Sequence, residues 1–163
     1  MKRRLVSNTG PLVALALVER LDILQGLFEA TTIPQAVHEE ILQGGATGAG
    51  VNAYRRAAWI RVEPLQATLD PLLTLVLDPG EASVIQLARE QNTDSVLIDE
   101  RKARKIARTV YNLEVVGTAG ILVEAKKRGI VIGVGEILTR MRENGYWIHD
   151  RIVAAALNEA GET

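Results

Sequence analysis

Residues 78–99, DPGEASVIQLAREQNTDSVLID, decide how the rest of the chain is read. Asp78 is a capping acid, Pro79 suits the first helical position, and Glu81 three residues after Asp78 completes a capping-box pattern. Ala82, Ile85 and Ala88 then recur near one face, so Pro79–Glu90 is predicted as a helix. Val96-Leu97-Ile98 follows as a short apolar run, the mark of a buried strand, and Asp99 stands at its carboxyl end.

The same alternation runs outward in both directions. Leu5–Ser7 reads as a strand, and Thr9-Gly10-Pro11 opens a helix whose stripe is Leu12, Leu15 and Ala16. A short helix over Leu21–Phe28 and a strand over Thr31–Ile33 come next. A helix then runs from Pro34 through Gln43, with Val37, Ile41 and Leu42 inward. Val51–Trp59 is predicted helical, Ile60–Val62 a strand, and Leu65–Leu77 mixed with a helix after Pro71. Beyond Asp99, the expectation is a helix over Arg101–Val110, a strand over Glu114–Val116 and a helix over Thr118–Arg128 ended by Gly129. Val134, Ile137, Leu138 and Met141 repeat at helical spacing until Asn144-Gly145, and Asp150 is expected to cap a last helix through Glu159. Strands alternating with helices imply an α/β protein with a parallel sheet covered on both faces.

At 163 residues the chain suits one domain, 1–163, with a sizeable core. Its 47% apolar and 24% charged residues are those of an ordinary globular protein, and a net charge of −1 gives no global pull toward nucleic acid. The absence of cysteine excludes disulfides and thiolate metal sites. No apolar run is long enough for a membrane span, and Met1-Lys2-Arg3-Arg4-Leu5-Val6 lacks a signal-peptide core, so the cytoplasm is the expected location. Gly44–Gly50 is the one flexible stretch. Gly48–Ala53 fits G-x-G-x-x-A, but the preceding segment reads as helix, where a dinucleotide site requires a strand.

Ligands of open parallel sheets bind outside the carboxyl ends of the strands. Asn8 and Asp99 fall there, while Glu40 and Glu81 lie on helices able to face the same crevice. Four oxygen donors around one crevice are a candidate site for Mg²⁺ or Mn²⁺, hard cations that prefer carboxylates and water. Each residue also has a structural reading: Glu81 in its capping box, Asp99 as cap of the helix near Arg101, Glu40 as a solvated helix acid and Asn8 as a turn or cap. Arg101, Arg104, Lys105 and Arg108 form one stripe opposite Ala103, Ile106, Ala107 and Val110, suited to a polyanion or simply to water. His38 and His149 lack zinc spacing, and neither a nucleophile elbow nor a phosphate-binding loop is present. Trp147 beside Tyr146 suits stacking on a base, or packing of the final helix or a dimer. Thr118-Ala119-Gly120 reads as a helix cap.

Taken in order, five segments resemble the PIN-domain superfamily, which includes the VapC-type toxin ribonucleases. They are Val6–Leu12, Ile33-Pro34 with Val37 and Glu40-Ile41, Gly80-Glu81-Ala82 with Leu87-Ala88, Leu97–Glu100 with Ala103-Arg104 and Ala107, and Gly117–Leu122 with Ala125-Lys126 and Gly129. The likeness is greatest to an uncharacterised branch with Ser-Asn-Thr-x-Pro at the first strand. The resemblance implies a three-layer α/β/α sandwich, a metal site at the sheet's carboxyl edge and hydrolysis of single-stranded RNA. By position, Asn8, Glu40, Glu81 and Asp99 match the family's four acids, with Asn8 removing one charge and Glu81 longer than the usual aspartate. Arg101, Arg104 and Lys105 are expected to guide RNA. A small antitoxin and a homodimer are also implied. The alternative is a catalytically weakened module that binds RNA or a protein.

Overall fold

The computed structural model describes residues 3–44 and 49–163. Residues 45–48 of the glycine-rich stretch, and with them the start of the G-x-G-x-x-A pattern, lie outside the described residues, as do Met1 and Lys2. Strands β1 (Arg3–Ser7), β2 (Phe28–Pro34), β3 (Arg61–Glu63), β4 (Ser95–Leu97) and β5 (Glu114–Val116) form a parallel sheet in the order β3-β2-β1-β4-β5. In chain order the described helices are α1 (Thr9–Leu17), α2 (Asp22–Leu27), α3 (Gln35–Gln43), α4 (Ala49–Arg56), α5 (Pro71–Val76), α6 (Pro79–Glu90), α7 (Arg101–Thr109), α8 (Thr118–Lys127), α9 (Val134–Glu143) and α10 (Asp150–Glu159).

Side chains alternate between the faces of a strand. Leu5, Val6 and Ser7 in β1 and Ser95, Val96 and Leu97 in β4 are nevertheless all 0% exposed, so helices cover both faces of the sheet. The result is the expected three-layer α/β/α sandwich. The chain passes from β1 outward to β2 and β3, returns through α6 to β4 on the other side of β1, and ends the sheet at β5. Strand order therefore reverses between β1 and β4, and ligands of open parallel sheets bind at the carboxyl ends of such a switch point. Ser7 stands beside Leu97 in the ladder, and the Asn8 amide donates to the Leu97 carbonyl at 2.9 Å.

Helix α6 spans Pro79–Glu90 as expected, but its apolar burial is wider than one stripe. It packs on β1, β2, β4, α3, α5 and α7, burying every residue from Ala82 to Ala88. Two of these residues are polar: the Ser83 hydroxyl donates to the Pro79 carbonyl at 2.6 Å, and the other is Gln86. Its amide nitrogen donates to the Ala67 and Thr68 carbonyls at 2.9 and 3.0 Å, and its oxygen accepts from Asp70 N at 2.7 Å. Those bonds tie down the irregular segment before α5.

Expectations change at several element ends. Phe28 opens β2 instead of closing α2, because it pairs with Arg3 across the sheet and lies under the Arg3 guanidinium. Helix α4 stops at Arg56, and β3 begins one residue late, at Arg61. The cap of α10 is His149, whose Nδ1 accepts from Arg151 N at 3.1 Å, while Asp150 accepts from Arg142 instead. Val110 leaves the apolar stripe of α7 and is 56% exposed, because the helix ends at Thr109 and the chain turns through Asn112 at positive φ.

Candidate active site

Asp99 follows β4 by two residues and sits half-buried at the switch point. It does not cap α7. Glu100 does so, accepting from Lys102 N at 3.1 Å and Ala103 N at 2.7 Å. Asp99 turns instead toward α8. Its Oδ1 accepts from Thr118 N at 2.7 Å, and its Oδ2 accepts from the Thr118 hydroxyl and the Tyr146 phenol, each at 2.5 Å. Burial, followed by the charge of Asp99, pushes the Tyr146 phenol above its usual range.

Two glycines make this cluster possible. A Cβ on Gly117 would stand 3.0 Å from Asp99 Oδ1 and 2.8 Å from Arg104 Nη1. A Cβ on Gly10 would stand 2.9 Å from the Tyr146 hydroxyl. Arg104 is thus turned inward beside Asp99, and its Nη1 donates to the Ile98 carbonyl at 2.7 Å. Burial, with Arg108 adding, lowers its guanidinium pKa, while Asp99 opposes the shift. Arg101, Lys105 and Arg108 remain exposed on α7.

A second group of acids gathers at the start of α6. Asp78 Oδ1 accepts from Glu81 N at 2.8 Å, and Glu81 Oε1 accepts from Asp78 N at 3.3 Å, so the capping box is closed. Glu40 comes to the same helix end from α3. Its Oε1 lies 2.8 Å, and Asp78 Oδ1 3.5 Å, from where a Cβ on Gly80 would stand. Burial is the first cause that raises the Glu81 pKa to about 7. Asp78 and Glu100 raise it further, against the backbone hydrogen bond from Asp78. The charges acting on Glu81 are carboxylates.

Asn8 occupies the N-cap position of α1 but makes no side-chain capping bond. Its expected role as a cap by hydrogen bonding is therefore not seen. Next to it, the Thr9 hydroxyl is buried without a partner among the described residues. The two histidines are structural: His38 Nδ1 pairs with the Tyr54 hydroxyl at 2.6 Å, and His149 caps α10. A cavity of 460 Å³ lined by Gln25, Glu29, Trp59 and Arg61 opens at the amino ends of β2 and β3, and none of the candidate acids lines it.

These donors test the expected cation. Among the described residues, no group of three or more His, Cys, Asp or Glu is set to hold a metal ion. Asp99 already accepts three hydrogen bonds. The arrangement does not fit a cation enclosed by all four expected residues. A hydrated Mg²⁺ or Mn²⁺ needs only one or two carboxylates beside its waters, and Glu40 and Glu81 are oxygen donors of that kind.

The sequence suggests a helix cap at Thr118 and stacking or packing beside Trp147 for Tyr146, whereas both bind Asp99 and Gly117 takes the cap position of α8. Thr118 was within reach of the rule that found Asn8 and Asp99, since it follows the carboxyl end of β5 by two residues. No such signal marks Tyr146, which arrives from the far end of α9.

No curated protein matches the sequence. A family model described as a PIN domain matches residues 4–162, a span that takes in the switch point, both groups of acids and Tyr146. The chain therefore belongs to the PIN-domain family, whose fold is of the nuclease type.

Proposed function

We propose that the protein is an endoribonuclease dependent on Mg²⁺ or Mn²⁺ that cuts single-stranded RNA, acting as the toxin of a toxin–antitoxin pair. The observation that carries this reading is the crowding of Glu40, Asp78 and Glu81 at one helix end, with Glu100 acting on Glu81 and Asp99 next to Glu100 in the chain. In this reading Glu40, Glu81 and Asp99 hold the ion, directly or through water, and Asn8 is a neutral ligand or positioning group. A bound divalent ion supplies a water of lowered pKa and stabilises charge on phosphoryl oxygens. Thr118 and Tyr146 fix the Asp99 carboxylate, and Arg104 balances its charge. Arg101 and Lys105, exposed on α7, meet the RNA backbone. A homodimer and a small antitoxin partner complete the proposal. A small protein encoded beside this one that co-purifies with it and suppresses cutting would support the toxin assignment.

The direct test is cleavage of a single-stranded RNA by purified protein with Mn²⁺. Cutting is expected, and Asp99→Asn should abolish it. Equal cutting by the variant, or in chelator, would remove the mechanism.

A second reading, a binding module with weakened catalysis, is favoured by the uncharged Asn8 and by the three donors already on Asp99. It predicts RNA binding without turnover and little stabilisation by Mn²⁺. Asn8→Asp should raise metal affinity if position 8 is a ligand.

A further inference from the structure

The residue after Tyr146 carries a separate feature. Helix α9 ends in a Schellman closure: Gly145, at φ +95°, donates to the Arg142 carbonyl at 3.0 Å, and Tyr146 N donates to the Met141 carbonyl at 2.9 Å. That closure sends Tyr146 inward, where its hydroxyl reaches Asp99 at 2.5 Å. Trp147 leaves the next backbone position toward solvent and is 67% exposed.

The indole is nonetheless held. The Arg142 guanidinium stacks on it with Cζ 4.3 Å from the ring centroid. Arg142 is itself fixed, since its Nη2 donates to the Ile148 carbonyl at 2.5 Å and to Asp150 Oδ1 at 2.7 Å. With Asp150 on it, Arg142 is poorly placed to neutralise a phosphate and well placed to back a ring. Among the described residues no second cation stacks on the indole, which stays 67% exposed. Other strongly exposed apolar residues, Leu75 and Ile132, are aliphatic and present no π-face.

We infer that Trp147 is a stacking subsite for one base of a single-stranded RNA, backed by Arg142 and tethered through Tyr146 to Asp99. Unpaired bases stack on aromatic side chains with little sequence preference, because every base has a π-face. The subsite deepens the ribonuclease reading, on which its choice of ligand rests. It holds a base at the rim while the acids face the backbone.

The test is binding of a uridine oligoribonucleotide in chelator, where cutting is suppressed, read by indole fluorescence and by anisotropy of a labelled strand. Wild-type protein should show quenching. Trp147→Ala should bind roughly tenfold more weakly, and Trp147→Phe should recover part of the affinity. The salt dependence of binding should be the same in all three, since stacking neutralises no phosphate. A strand with abasic sites should bind wild type and Trp147→Ala alike. Trp59 stays in every variant as an internal reference. Unchanged affinity in Trp147→Ala, or absence of RNA binding by wild type, would overturn the subsite. So would dissociation of a dimer by Trp147→Ala with RNA affinity intact, which would make Trp147 a contact between copies of the chain. Quenching without Mn²⁺-dependent cutting would keep the subsite and remove the nuclease reading.

Discussion

Among the helix amino ends that hold a glutamate, those of α6 and α9 hold theirs in opposite states. At α9, Glu162 arrives from beyond α10. Its Oε2 accepts from Lys126 Nζ and Val134 N at 2.8 Å each, and its Oε1 accepts from Gly135 N at 3.0 Å. The Lys126 hydrogen bond, followed by the two backbone donors, lowers its pKa to about 2. At α6, Glu81 accepts, among the described residues, only the Asp78 amide and faces Asp78 and Glu100. Burial and those charges raise its pKa to about 7. The motif is similar, an acid where a helix dipole welcomes one. What differs is the company. A facing base makes Glu162 a lock between α8, α9 and the chain end, whereas facing acids leave Glu81 short of positive charge.

The largest effect should come from exchanging each acid for its amide. Glu81→Gln keeps the capping box, because glutamine serves at that position, but removes a charge from the proposed cation site. Mn²⁺-dependent RNA cleavage should fall by at least about a hundredfold. Glu162→Gln should leave cleavage per folded molecule unchanged and lower the melting temperature. Equal losses of activity in the two variants would dissolve the contrast.

Binding of the ion itself sharpens it. At pH 8 and a concentration about 100 times Kd, Mg²⁺ should stabilise the wild type by about 2.7 kcal/mol. Thermal unfolding should show that gain greatly reduced in Glu81→Gln and retained in Glu162→Gln.

The smallest effect is the response of stability to pH without metal. The folded pKa of Glu81 lies above the ordinary carboxylate value, so its contribution is full below about 4.5 and is lost as pH rises through about 7. Wild type should therefore lose about 1 kcal/mol relative to Glu81→Gln between pH 5 and 8, an amount reduced by solvent screening. Glu162 runs the other way. Its contribution is present above the ordinary value and is lost as pH falls toward about 2. The stability gap between wild type and Glu162→Gln should close as pH falls from 5 to 2. Chemical denaturation across pH reads both differences, and parallel pH profiles for all three proteins would refute the electrostatic account.

The legible part of the site was its backbone address. Asp99 and Asn8 could be placed because each ends a short apolar run, and Glu81 because Asp78-Pro79 announces a helix start. Which acid capped α7 was not legible, since Asp99 and Glu100 are adjacent and either can reach the first turn. Glu100 caps it because Thr118 and Tyr146 engage the oxygens of Asp99. The inward turn of Arg104 was not legible for a similar reason. Its spacing with Arg101, Lys105 and Arg108 suggests one basic stripe suited to a polyanion or to water, but beside Gly117 its Nη1 turns to the Ile98 carbonyl.

Sequence alone determined the parallel α/β order, the helix over Pro79–Glu90 and the carboxyl-edge positions of Asn8 and Asp99. Period and capping are local properties, written within a few consecutive residues. Only the tertiary structure decided that Glu40 meets Asp78 over Gly80, and that Tyr146 joins Asp99 across Gly10. Those meetings depend on residues 38 and 47 positions apart, and on missing Cβ atoms, so they exist only once the helices have packed on the sheet.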